Sequence, residues 1–188
     1  MDYSLESLSA LEIELYYSMP EDKHFEELNA ELEANGTFAK NRKIHEDYLE
    51  LFNSTSDPGI KYEALKRLIF LNWYSLIEPD YFTGISDLNE KVIFNSYLII
   101  NDYIKSEKLD EELNWMLQFY SCWDWAILNF SENRLSELTK FVKAVDNSIS
   151  SYPKQKLPQG TMRDRGQMWW VSRGKKGCIS QKLRTLFV

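Results

Sequence analysis

"DPGIKYEALKRLIFLNWYSLIEPD", residues 57–80, decides the fold class. Asp57 followed by Pro58 is a helix start: the carboxylate accepts from the first free backbone N–H groups, and proline fits the first helical position. Leu65, Leu68, Ile69, Asn72, Trp73 and Leu76 then recur at three- and four-residue steps, the helical period, until Pro79 halts the pattern.

The same period extends outward in both directions. Toward the N-terminus, Leu5, Leu8, Leu11 and Leu15 form one stripe, and Phe25, Leu28 and Leu32 form a second. Pro20 leads into that second stripe, and Asn35-Gly36 supplies a left-handed stop for it. Ile44, Tyr48, Leu51 and Phe52 mark a third helix, ended by "NSTSDPG". Toward the C-terminus, Asp87 with Glu90 reads as a capping box for a helix through Val92, Phe94, Leu98, Ile99 and Tyr103. Asp110 caps a helix through Leu113, Met116, Leu117, Tyr120, Trp123 and Ile127, and Ser131 starts another through Leu135, Leu138, Phe141, Val142, Val145 and Ile149. The expectation is an all-α domain of about seven helices in antiparallel hairpins. Starts near 58, 88, 110 and 132 leave two arrangements open, a compact bundle or a short HEAT-like solenoid.

Composition agrees with this class. Of 188 residues, 44% are apolar and 27% charged, and seven Gly with five Pro are few for a turn-rich all-β fold. No run approaches the eighteen or so apolar residues of a membrane span, and the acidic start "MDYSLESLSALEIELYY" lacks the basic region of a signal peptide. Cys122 and Cys178, far apart, permit one bridge but no disulfide scaffold, and a reduced compartment fits them better. Together these place the chain in the cytoplasm.

Charge divides the molecule. The net charge is −7, but residues 1–152 carry −15 and residues 153–188 carry +8. The sequence therefore reads as an acidic helical domain, 1–152, with a basic Gly- and Trp-containing segment, 153–188, packing on it. The acidic extreme is the first 39 residues, with ten carboxylates opposed only by Lys23. A surface of that sign speeds association with a basic partner. Glu12, Glu14, Glu21, Asp22, Glu26, Glu27, Glu31 and Glu33 are the candidate contacts for a basic protein. The specific version is a cytoplasmic neutraliser, an immunity-type inhibitor, of a basic toxin or nuclease.

The alternative is nucleic-acid binding by the C-terminal segment. Arg163, Arg165, Arg173, Lys175 and Lys176 supply phosphate contacts, and Trp169 and Trp170 supply stacking faces for single-stranded RNA or DNA. Internal docking competes with this reading, because a tethered acidic body attracts the same cations and two tryptophans gain by burial.

Chemistry-bearing motifs are sparse. His24 and His45 belong to no HxxxH, HExxH or CxxC arrangement and read as solvent-exposed residues on charged helices. Cys122 reads as a small buried apolar residue, and Asp124, between Trp123 and Trp125, as a rim carboxylate. Glu78, Asp80 and Asp87 share a loop region without calcium-loop spacing, and "GKK" at 174–176 is no P-loop. The sequence names no catalytic, metal or cofactor residue, which points to a non-enzymatic interaction module.

Overall fold

The computed structural model describes residues 4–20 and 24–145. Among these, the chain runs through α1 (Leu5–Tyr17), α2 (Phe25–Ala34), α3 (Thr37–Ser54), α4 (Pro58–Ile77), the one-turn α5 (Asp80–Thr83), α6 (Glu90–Lys105), α7 (Glu111–Tyr120), a 3-10 turn (Ser121–Trp123), α8 (Asp124–Ser131) and α9 (Ser136–Ala144). No strand occurs among the described residues. The all-α expectation holds.

The arrangement is a bundle built around α4. Its ten consecutive residues Ala64–Trp73 are all buried, the pattern of a helix enclosed on every side. It packs against α1, α3, α5, α6 and α8, whereas a solenoid unit meets only its neighbours. Leu65, Leu68 and Ile69 reach zero exposure and join Tyr48, Tyr97, Ile100, Leu113, Met116 and Ile127 in one core. The start of α4 forms as its sequence dictates: Asp57 Oδ1 accepts from the N–H groups of Gly59 (2.7 Å) and Ile60 (3.1 Å).

Gly36, with φ of 74°, turns α2 directly into α3, so α3 begins at Thr37, a full two turns before Ile44. Asn35 Oδ1 accepts from the Thr37 N–H (3.0 Å) and hydroxyl, fixing the corner. At the other left-handed glycine, Gly84 (φ 68°), the carbonyl accepts from the buried Asn41 side-chain amide at 2.7 Å. That bond ties the α5 loop to α3.

Three boundaries differ from the sequence reading. Asp87 does not cap α6; it adopts φ of 51° in the loop, and Asn89 caps through the Lys91 N–H (3.1 Å). The expected helix from Asp110 to Ile127 is two helices, broken where Trp123 takes non-helical φ −112°, ψ 61°. Its indole turns edge-on to Trp73 and Phe119, with centroids 5.5 and 5.6 Å away. Packing of a large ring outweighs helix continuation there. Ser131 ends α8 rather than starting a helix; α9 begins at Ser136, where Asn101 of α6 accepts from the N–H groups of Glu137 (3.0 Å) and Leu138 (3.2 Å). The cap comes from another helix. The final expected residue, Ile149, lies outside the described residues.

Candidate functional site

The acidic surface begins with two helices that carry no basic residue. α1 (LESLSALEIELYY) packs on α3 and α4, and α2 (FEELNAELEA) packs on α3 and α5. Glu14, Glu26, Glu27 and Glu33 are exposed and Glu31 is half-buried. Two apolar side chains stand among them: Leu11, one turn before Glu14, is 43% exposed and Phe25 is 48% exposed. The surface thus combines carboxylates with exposed apolar side chains.

The placement of these carboxylates is informative. Glu26 and Glu27 occupy the first turn of α2, where the helix dipole favours negative charge. Glu33 lies in the last turn of α2 and Glu14 in the last turn of α1, where the exposed carbonyls disfavour it and neither last turn holds a basic residue. Each such placement costs the helix about 0.3–1 kcal/mol. Helix formation therefore does not account for the acidity.

Glu12 departs from the expected set. It is 3% exposed, and its carboxylate meets the Arg67 guanidinium inside the domain. The Tyr48 hydroxyl donates to Glu12 Oε2 at 3.0 Å, and Arg67 also binds Glu63 at 3.0 Å and the Ser9 hydroxyl at 3.4 Å. Burial pushes the Glu12 carboxyl above its ordinary range, with Arg67 and Tyr48 pulling it back. The cluster joins α1, α3 and α4, so Glu12 is an anchor for α1 and not a partner contact. Sequence reasoning missed this because its signal, a carboxylate on the apolar side of α1, competes with a dense acidic background. Glu21 and Asp22 lie outside the described residues, as do Arg163, Arg165, Trp169, Trp170, Arg173, Lys175 and Lys176.

The two histidines part company. His24 is exposed, as expected; His45 is wholly buried, against expectation. His45 Nε2 bonds Asn72 Oδ1 at 2.7 Å, and the Asn72 amide donates to the Ser96 hydroxyl at 2.8 Å, which donates to the Ile93 carbonyl at 2.7 Å. Burial pushes the His45 imidazole down to about 4, so it is neutral at physiological pH. This chain of bonds crosses the core between α3, α4 and α6. It is architecture. Lys66 is likewise spoken for, bridging Asp110 (2.6 Å) and Glu112 (2.7 Å) at the start of α7.

A second surface lies on α7 and the turn after it. Glu111, Trp115 and Phe119 are spaced by four, one face of the helix, and Trp115 stacks on Phe119 with centroids 5.3 Å apart. Trp123 continues the row, and behind it Trp73 stacks on Tyr120 at 4.4 Å. Between Lys108 and Arg134 the sequence holds no basic residue. Asp124 is exposed on the rim, with its own carboxylate accepting from the Trp125 N–H at 2.8 Å. Cys122, expected as buried apolar filler, is half-buried on the 3-10 turn and disulfide-bonded.

A shallow cleft of about 280 Å³ opens at the start of α6, lined by Glu90, Lys91, Phe94, Asn95, Phe130 and Arg134, with the Arg134 guanidinium 3.8 Å above the Phe94 ring. Among the described residues no group of three or more His, Cys, Asp or Glu side chains is placed to hold a metal ion, and no helix is long and apolar enough to cross a membrane. Comparison of the chain with protein-family models, curated proteins and solved structures finds no match.

Proposed function

We propose that this chain is a protein-interaction module whose α1–α2 surface binds a basic protein through Glu14, Glu26, Glu27, Glu31 and Glu33, with Leu11 and Phe25 as apolar anchors. The observation that carries the reading is negative charge at the C-terminal ends of α1 and α2, in last turns that hold no basic residue, where it weakens the helices that bear it. Local rules broken without local gain point to function. The finer version is a neutraliser that covers the basic working surface of a toxin or nuclease. Its support is charge and size: a small, strongly acidic domain suits occlusion of a phosphate-binding surface.

The test is affinity capture with the full chain from extract of the producing cell at about 50 mM and about 300 mM salt, beside a variant with Glu14, Glu26, Glu27, Glu31 and Glu33 changed to Gln. The reading expects a basic protein in stoichiometric amount at low salt, depleted at high salt and absent with the variant. Co-expression with that protein then relieves its toxicity or nuclease activity. Recovery of no basic protein, or equal recovery by the variant, overturns it.

A further inference from the structure

An aromatic row carries the acidic surface from α2 onto α5. The Phe25 ring at the start of α2 lies 5.9 Å, centroid to centroid, from Tyr81, and Tyr81 lies 4.6 Å from Phe82. His24 adds a further ring, 4.5 Å from Phe25. Phe25 is exposed, and Phe82 is more so, at 60%. Phe82 nevertheless stands on a fixed base. Its N–H donates to the Pro79 carbonyl at 3.0 Å, the Gly84 N–H donates to the Asp80 carbonyl at 2.7 Å, and Thr83 and Ile85 after it are buried. The Asn41 side-chain amide holds the Gly84 carbonyl from α3. A one-turn helix tied at both ends thus presents a large ring to solvent, and such preorganisation lowers the cost of binding.

We propose that the Phe25–Tyr81–Phe82 row, with Glu26 and Glu27 beside it, receives arginine side chains of the basic partner. The inference rests on the reading of the α1–α2 surface given above and deepens it: α5 joins the contact, and arginine rather than lysine is the group recognised. Charge complementarity selects the occupant. Glu26 and Glu27 are exposed in the helical turn that Phe25 opens. No Lys or Arg stands between Lys23 and Lys40 or between Arg67 and Lys91, the two stretches that carry the rings. A second copy of the chain sets these carboxylates against themselves, and a neutral apolar partner leaves them without a counter-charge. The rings then decide between the two cations. A guanidinium is planar and weakly hydrated, so it lies on an aromatic face while its N–H groups bind a carboxylate at the edge. An ammonium is a strongly hydrated point charge and gains less from the rings.

The experiment titrates the full chain calorimetrically at about 50 mM salt with two peptides of about eight residues, one alternating Arg with Gly and the other Lys with Gly. Their charge is equal, so a difference reports the rings. The Arg peptide is expected to bind at least about threefold tighter. Phe82→Leu keeps apolar bulk at an exposed position and removes the ring. It is expected to weaken the Arg peptide by at least about threefold and to leave the Lys peptide within about twofold. Glu26→Gln with Glu27→Gln is expected to weaken both peptides. A photoreactive p-benzoylphenylalanine at position 82 is expected to cross-link to the Arg peptide. Equal affinity for the two peptides, binding of neither, or an Arg-peptide affinity unmoved by Phe82→Leu overturns the inference. So do cross-links from position 82 into the same chain or a second copy in place of the peptide. Failure of the broader reading shows separately, as capture of no basic protein from extract.

Discussion

Replacing Arg67 by Met removes the positive member of a buried pair while keeping its bulk. Glu12 and Arg67 are 3% and 2% exposed, so no water stands ready to take over for the lost guanidinium. In the variant the Glu12 carboxylate keeps the Tyr48 hydroxyl, and Glu63 loses its bond to Arg67 as well. Breaking a buried pair in this way costs about 3–5 kcal/mol, and for a domain of this size that corresponds to a fall in Tm of roughly 6–20 °C. A pH signature separates this cause from simple loss of packing. Burial already raises the Glu12 carboxyl, and without Arg67 it rises further. A group whose folded value lies above its unfolded value loses stability as pH climbs through that interval, so the penalty is largest at neutral pH and shrinks in acid. Glu12→Gln combined with Arg67→Met is expected to cost less than the sum of the two single changes. Urea unfolding followed by circular dichroism at about pH 7 and about pH 4.5 measures all three variants. A loss under about 1 kcal/mol for Arg67→Met at neutral pH, or a loss independent of pH, refutes the reasoning.

Other consequences follow from the same geometry. His45 is neutral in the fold while its unfolded form takes a proton near pH 6.5, so stability drops as pH falls from 6.5 toward about 4 and then levels. That shift corresponds to about 3 kcal/mol, and a non-titrating residue at position 45 is expected to flatten this part of the acid-unfolding profile. Gly84→Ala places a methyl group 3.0 Å from Met19 Sδ and 3.1 Å from Thr37 Cγ2 at a φ of 68°; a loss of about 1–3 kcal/mol in urea unfolding is expected. Leu68→Ala, at zero exposure in the middle of α4, is expected to cost about 2–5 kcal/mol by the same measurement.

The helical class and most helix starts were legible because their causes are local. Asp57-Pro58, Asp110 and Asn35-Gly36 act on backbone within a few residues, and each does in the fold what its type and position imply. What the sequence concealed is tertiary in origin. Asn101 caps α9 from thirty-six residues away, so Ser131, a good local starter, is passed over. Trp123 breaks a helix that contains no Gly or Pro at that point, because its ring is drawn against Trp73 and Phe119. The choice of bundle over solenoid depends on α4 being buried on all sides, Lys66, Arg67 and Asn72 included, which a stripe-based reading of Leu65, Leu68 and Ile69 underestimates. For the candidate surface the same limit applies. Charge density marked α1 and α2 correctly as acidic, but it could not tell Glu12, which faces Arg67, from Glu14, which faces solvent. His45 was misplaced for a related reason: its neighbours in sequence are charged, while Asn72 and Ser96, which receive it, come from other helices.

The role given to the α1–α2 carboxylates is tested most directly by stopped-flow association between the full chain and the basic protein recovered by capture, across a salt series. The account predicts that the rate for the native chain falls steeply as salt rises, and that changing Glu14, Glu26, Glu27 and Glu33 to Gln slows association at low salt by at least about tenfold while leaving urea stability about unchanged. An unchanged rate in a variant that remains folded contradicts it.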